Sequence, residues 1–164
     1  MKIRVTITPF NFGQRANLYS VRLLTHAKSE TDRFFARIIA HENYEELSPS
    51  LRKLLEWLER ISRLDGAQER FFRPREGGGL ALPVDKGLLR LYCYRFDEYA
   101  LLLCGGGIKT SQQVKDSPDC LPHFDLMNSI VNELRRRKIT PQQLPATAGS
   151  TLTLDINLPD SYVS

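Results

Sequence analysis

The residues best suited to chemistry lie in one stretch of the chain, Leu88–Thr110, which reads LLRLYCYRFDEYALLLCGGGIKT. It is predicted to form a β-hairpin, because two apolar and aromatic runs flank the charged pair Asp97-Glu98. If the turn holds two or four residues, Arg95 lies opposite Ala100 and side chains alternate between two faces from there. One face then mixes cations and phenols with apolar residues: Arg90, Tyr92, Tyr94, Leu101, Leu103 and Lys109, with Lys86 opposite Lys109. Such a face could contact a ligand, or it could pack on a helix with its cations at the rim.

The other face of the predicted hairpin is a candidate core. It carries Leu89, Leu91, Cys93, Ala100, Leu102, Cys104 and Ile108. The chain has three cysteines, an odd number whose spacing fits no disulfide framework, so buried reduced thiols are expected. The histidines His26, His41 and His123 lack the spacing of metal ligands, and no cofactor is expected. His123, at the start of a predicted helix, is expected to be an exposed surface residue.

The totals favour one soluble globular domain. The chain has 164 residues, of which 41% are hydrophobic, and this length is enough to bury a substantial core. Its net charge of +4 permits an anionic partner such as nucleic acid but does not require one. The N-terminus lacks the apolar core of a signal peptide, and no run approaches the length of a membrane span. We therefore expect a cytoplasmic protein without membrane contact.

Periodicity and capping signals place further elements around the hairpin. Ser29-x-x-Asp32 resembles a capping box, and Ser48-Pro49 is typical of a helix start. The predicted elements are strands at 2–8 and 18–24, helices at about 30–40 and 48–66, a short edge strand at 69–75, and a helix from Pro122 to about Lys138.

The C-terminal segment differs from the rest of the chain. Residues 1–138 are predicted to form a single domain, and residues 139–164 an extension. Thr151–Leu158 alternates between apolar and polar residues, which predicts a strand. That strand either closes the sheet of this domain, which we favour, or pairs with the sheet of a partner.

The order of elements, strand, two helices, antiparallel strands and helix, resembles the RelE/HigB family of bacterial type II toxins, in the RelE/ParE superfamily. The residues that carry the resemblance are Arg90-Leu91, the Asp97-Glu98 turn, the apolar strand after it, Gly107 and Lys109. The resemblance covers roughly Leu18–Thr110. It implies an α+β fold: an antiparallel sheet with two N-terminal helices packed on one face, and a C-terminal helix.

The family's activity would be that of a ribosome-dependent mRNA endonuclease, which needs no metal and is held inactive by a cognate antitoxin protein. Cations hold the RNA phosphates and stabilise the charge that develops in the transition state, while another group transfers a proton. By position, the resemblance makes Arg90, Lys109, Tyr92 and Tyr94 the catalytic candidates. It makes Arg73, Arg75, Lys86 and Arg95 the candidates for RNA binding.

Two positions depart from the family pattern. Thr110 stands where the family often has another cation, and the segment SQQVKDSPD has no aromatic residue where some members place a catalytic tyrosine. The alternative function is therefore a non-catalytic module of the same fold, which binds or regulates another protein.

Overall fold

The computed structural model describes residues 1–74, 80–82, 87–110 and 116–162. Arg75 and Lys86, two of the predicted RNA-binding residues, lie outside the described residues, as does the side chain of Arg73. In the described part of the chain, every helix is too short or too polar to cross a membrane.

Seven strands and three α-helices make up the described architecture. The strands are β1 (Lys2–Phe12), β2 (Asn17–Leu23), β3 (Arg73–Pro74), β4 (Leu80–Leu82), β5 (Leu89–Asp97), β6 (Ala100–Ile108) and β7 (Leu152–Asn157). The α-helices are α1 (Glu30–Ile39), α2 (Tyr44–Arg60) and α3 (Leu121–Arg136).

The strands form a single mixed sheet in the order β3-β4-β5-β6-β2-β1-β7. The α+β class is as predicted, but the purely antiparallel sheet is wrong, because β2 and β6 run parallel from Asn17↔Ala100 to Ser20↔Leu103. The cause is the connection between them: two helices and three strands intervene, and β6 enters the sheet in the direction of β2. Local sequence patterns carry no information on this direction.

The register of the β5–β6 hairpin differs from the prediction by one residue at Cys93–Arg95 and by two residues at Leu89–Leu91, because the register shifts between Leu91 and Cys93 and again between Arg95 and Asp97. Arg95 pairs with Leu101, not Ala100, and the turn residues are Glu98 and Tyr99. The Asp97 carboxylate accepts a hydrogen bond of 2.8 Å from the Tyr99 N–H, which stabilises this turn. Leu101 and Leu103 therefore join the face of Leu89, Leu91 and Cys93, in place of Leu102 and Cys104.

Helices cover both faces of the sheet, so the face of cations and phenols packs on a helix, which was one of the two alternatives that the sequence left open. α1 and α2 pack on the face that carries Leu91 and Leu103. α3 packs on the opposite face, where Met127 and Ile130 contribute to the core that contains Tyr92. Burial on two sides explains why β6 has no polar side chain.

The C-terminal strand closes this sheet, as favoured from the sequence. β7 pairs antiparallel with β1 from Lys2↔Asn157 to Ile7↔Leu152, and Leu154 and Ile156 are buried. β1 continues past Pro9, which was expected to end it. Because Pro9 lies beyond the residues paired with β7, its missing N–H removes no hydrogen bond from that side of the sheet.

The helices follow their capping signals closely, with one exception. α1 begins after Ser29, whose hydroxyl accepts the Asp32 N–H at 3.1 Å as predicted. α2 begins four residues before Ser48, and Pro49 lies inside it. The earlier start buries Leu47 in the core, while a proline this close to the helix start removes a single hydrogen bond. After Arg60 the helix widens into a π-turn at Ile61–Asp65, which ends at Gly66 with a φ of 74°.

Candidate functional site

A crevice lies where the two parallel strands end. The pairing of β2 with β6 stops at Ser20 and Leu103, and α1 then follows β2 on one face while α3 follows β6 on the other. In sheets with parallel strands, ligands commonly bind at the carboxyl ends of strands whose connections leave in opposite directions. We use the name crevice for the site formed here by Arg37, Gly105–Gly107, Asp119 and His123.

Arg37 of α1 is the centre of the crevice. Its Nη2 donates to the Gly106 carbonyl at 2.5 Å and to His123 Nε2 at 3.2 Å. Its Nη1 donates to Asp119 Oδ1 at 3.3 Å. The guanidinium is thereby fixed between the strand and the first turn of α3, while 39% of the side chain stays exposed. A guanidinium held in this way can bind a phosphate without first being ordered.

Glycines in β6 allow the other two side chains to approach. A Cβ on Gly107 would lie 2.3 Å from the Asp119 carbonyl oxygen, and one on Gly105 would lie 2.7 Å from His123 Nδ1. The close approach also lets Asp119 Oδ2 accept the Ile108 N–H at 2.7 Å. The three consecutive glycines are therefore part of the site, although they form no phosphate-binding loop.

His123 is a neutral imidazole in this environment. Burial, followed by the charge of Arg37, lowers its pKa to about 4; Asp119 opposes this shift and Arg33 adds to it. Because Arg37 donates to Nε2, the ring proton is assigned to Nδ1. The Nε2 lone pair at the mouth of the crevice is therefore available as a base whenever Arg37 moves away.

Two openings meet at Arg37 and Asp119. The larger, a groove of about 890 Å³, runs towards the α1–α2 turn and is also lined by His41, Asn43 and Thr110. His41 Nδ1 accepts the Asn43 N–H at 3.0 Å, which places the ring proton of neutral His41 on Nε2. Lys109 lies in sequence between Ile108 and Thr110, both of which line this groove.

The smaller opening is a pocket of about 210 Å³ on the α3 side of Arg37. We use the name α3 pocket for this cavity, which is lined by Arg33, Arg37, Pro118, Asp119, Pro122, His123, Ser161 and Tyr162. Proline and aromatic rings thus form part of its wall, and two arginines and a carboxylate form the polar part.

A buried carboxylate lies beside the α3 pocket. Glu30 is only 1% exposed, and its two oxygens accept the Tyr162 hydroxyl at 2.9 and 3.0 Å. His26 Nδ1 lies 3.2 Å and Arg33 Nε 3.6 Å from Glu30 Oε1. Burial and the neighbouring Glu30 charge raise the pKa of Tyr162, so its hydroxyl keeps its proton and donates at every ordinary pH.

Two of the predicted catalytic residues are buried. The Arg90 side chain donates from Nη1 to the carbonyls of Gly87 and Leu89, and the residue is 2% exposed. Tyr92 is 1% exposed and packs edge-on against Phe124 of α3. In this conformation neither side chain can touch RNA.

The remaining described candidates are partly exposed but separated. Arg95 donates from Nε to the Ala67 carbonyl and lies 3.5 Å from Glu69, while Tyr94 packs edge-on against Phe96. Both are far along β5 from the crevice. Lys109, half-buried, is the predicted residue that lies next to the groove. The structure therefore does not bring the predicted set together.

The residues that do meet in the crevice were not predicted as a site. Arg37 and Asp119 are 82 positions apart, and Arg37 and His123 are 86 apart, so no local pattern connects them. His123 was expected at the surface, but Arg37 and Tyr162 enclose it. The one available signal was the glycine run, because glycines in a strand often mark the close approach of another group.

Comparison of the chain with protein-family models, with curated proteins and with solved structures gave no match. Among the described residues, no three His, Cys, Asp or Glu side chains are grouped so that they could hold a metal ion. The functional interpretation therefore depends on the geometry of the crevice.

The His123 environment predicts a loss of stability in acid. Its folded-state pKa of about 4 is below the ordinary value of 6.5, so the unfolded chain binds the proton first as the pH falls. The neutral His123 ring contributes fully to stability above pH 6.5, and this contribution is lost progressively towards pH 4. The loss in the free energy of unfolding reaches about 2 kcal/mol at about pH 4.5. Urea unfolding near neutrality and near pH 4.5 should show that His123→Asn is less acid-sensitive than the wild type by this amount. His41→Asn is the matched control, and an equal acid loss in His123→Asn and wild type would contradict the prediction.

Proposed function

We propose that this protein is a metal-independent endoribonuclease of the type II toxin class, which cleaves mRNA on the ribosome at the crevice. The observation that carries the proposal is the placement of the Arg37 guanidinium between the Asp119 carboxylate and the neutral His123 imidazole. These are a phosphate-binding cation that is 39% exposed and a partly buried base beside it, with an open groove leading to the cation.

The chemistry follows from the requirements of RNA cleavage. The 2′-oxygen attacks the adjacent phosphorus, the O2′–P bond forms and the P–O5′ bond breaks, which leaves a 2′,3′-cyclic phosphate and a 5′-hydroxyl. The 2′-hydroxyl loses its proton to His123 Nε2, and water supplies a proton to the departing 5′-oxygen. Arg37 turns from His123 onto the phosphate, which frees Nε2, and with Lys109 stabilises the negative charge that develops.

The arrangement of the chain supports the same proposal. The elements from β2 to α3 follow one another as a strand, two α-helices, the strands β3 to β6 and a helix, which is the order on which the resemblance to the RelE/HigB family rests. The net charge of +4 suits an RNA ligand. A cognate antitoxin, as in that family, is part of the proposal.

A second candidate function is a non-catalytic module that binds or regulates another protein. Burial of Arg90 and Tyr92 favours it, because two residues that the family resemblance assigned to catalysis cannot reach a substrate here. In that case Arg37 serves only to join α1 to β6 and α3.

Induced expression in bacteria distinguishes the two functions. Wild type, Arg37→Ala and Arg63→Ala are compared for growth and for mRNA cleavage mapped by primer extension. Arg63 is the matched control, since it is 64% exposed and pairs with Glu59 at 2.6 Å away from the crevice. We expect growth arrest and cleaved mRNA with wild type and Arg63→Ala, and neither with Arg37→Ala.

The folded state of each variant is checked by circular dichroism, because Arg37 also makes structural contacts. Normal growth and intact mRNA with abundant, folded wild type would reject the nuclease and favour the binding module. Cleavage by folded Arg37→Ala at the wild-type rate would reject the crevice as its site.

A further inference from the structure

The α3 pocket has the size and the wall of a site for one flat ring. Its volume of about 210 Å³ accommodates a single nucleobase but not a second nucleotide. Pro118, Pro122 and the ring of His123 offer surfaces on which an unstacked base can pack, as in other sites for single-stranded RNA. It also shares Arg37 with the groove, so a phosphate bound by Arg37 would place its neighbouring nucleoside at this pocket.

Arg33 is the polar residue that can read that base. Its Nε faces the buried Glu30 oxygen at 3.6 Å, and 36% of its side chain is exposed at the pocket. Since Glu30 faces Nε, the two terminal nitrogens of the guanidinium are a fork of donors that no described residue occupies. Arginine forks pair with two acceptors on one edge of a base, for which guanine, with O6 and N7, is the best match.

Three other polar side chains of the pocket already have partners. Asp119 has both oxygens engaged, by Arg37 and by the Ile108 N–H, and the Ser161 hydroxyl donates to Asp125. Arg37 is held by three acceptors at the boundary with the groove.

The role of Arg33 in base recognition explains the buried network around Glu30. A carboxylate that is 1% exposed is costly to bury unless donors surround it. Tyr162 and His26 contact Glu30 from the interior, and Glu30 in turn forms an ion pair with Arg33 Nε at 3.6 Å. The rigid carboxylate thus orients the arginine fork before a ligand arrives.

We propose that the α3 pocket binds a guanine base of the RNA and that Arg33, positioned by Glu30, determines this specificity. The inference rests on the proposed function, since it takes RNA as the ligand of the crevice. The guanine in the α3 pocket is the base next to the phosphate that Arg37 binds.

The test measures the binding of the four nucleoside 5′-monophosphates to the full-length protein by NMR chemical-shift titration. All four carry the same phosphate, so binding to Arg37 contributes equally and the differences report on the base. We expect guanosine 5′-monophosphate to bind at least about tenfold more tightly than each of the other three nucleotides. Arg33→Lys keeps the charge but loses the fork, and should reduce this preference to less than about twofold. Arg63→Lys is the matched control and should keep it.

Equal affinities for the four nucleotides in the wild type, or an unchanged preference in Arg33→Lys, would overturn the inference. The same spectra show whether each variant is folded. Failure of the proposed function has a different signature: guanosine 5′-monophosphate binds selectively, yet induced wild type leaves mRNA intact. Cleavage without base preference would uphold the nuclease and reject the guanine pocket.

Discussion

Replacement of Gly106 by alanine is expected to reduce the free energy of unfolding by about 3 kcal/mol or more. A Cβ at this position would lie 2.0 Å from the carbonyl oxygen of Arg90 and 3.1 Å from the Cα of Leu91. Both atoms belong to the backbone of β5, which is paired with β6. β5 cannot move away from the added Cβ without breaking hydrogen bonds between the two strands. Urea unfolding of purified Gly106→Ala, or its loss from the soluble fraction, measures the effect.

Two other glycines serve as controls for that substitution. Gly149 has a φ of 87° and no atom within 4 Å of an added Cβ, so Gly149→Ala should cost only the backbone strain of about 1 kcal/mol. At Gly105 the added Cβ meets the His123 ring rather than backbone, so Gly105→Ala should destabilise less but displace His123 from Arg37. A Gly106→Ala protein as stable as Gly149→Ala would show that β5 can move aside.

The hairpin illustrates which parts of the fold local sequence determines. The two apolar runs and the charged residues between them correctly predicted β5, β6 and a turn. The register was off by one or two residues because Leu101, Leu102 and Leu103 are all buried, so β6 has no polar alternation to distinguish its faces. The turn lies one position later than expected, and the register then shifts between Arg95 and Asp97, which changes the residues of β6 that share a face with Leu91 and Cys93.

The position of α3 explains why the predicted site was not assembled. The face of Arg90 and Tyr92 was expected either to contact a ligand or to pack on a helix, and α3 packs over Tyr92 through Phe124. The apolar stripe of α3 predicted the helix itself well. The spacing of apolar residues does not indicate which face of a sheet a helix covers. The crevice depends on the parallel pairing of β2 with β6, which joins segments about 80 positions apart. Arg37, in the predicted helix α1, was therefore visible as a surface cation but not as a partner of His123.

Tyr162→Phe is expected to lower the free energy of unfolding by about 2 kcal/mol, because it removes a hydrogen bond to a buried charge. The hydroxyl contacts both oxygens of Glu30, and the phenyl ring of the variant keeps the edge-on contact with His123. In the variant, the Glu30 carboxylate is still only 1% exposed but has one hydrogen-bond donor fewer. Urea unfolding near neutral pH measures the loss, and Tyr99→Phe, at a 62% exposed tyrosine, is the matched control that should leave stability unchanged.

A double-mutant cycle with Glu30→Gln separates the charge from the packing. In the Glu30→Gln background, Tyr162→Phe should cost about 1 kcal/mol, since a neutral amide oxygen gains less from the hydroxyl than a carboxylate does. A full loss in that background would mean that the phenol contributes through other contacts than Glu30. If the cycle shows the expected coupling, the same charge that Tyr162 stabilises is the one that orients Arg33. The selectivity of Tyr162→Phe for guanosine 5′-monophosphate should then fall together with its stability, which connects the C-terminal segment to the α3 pocket across 132 positions of sequence.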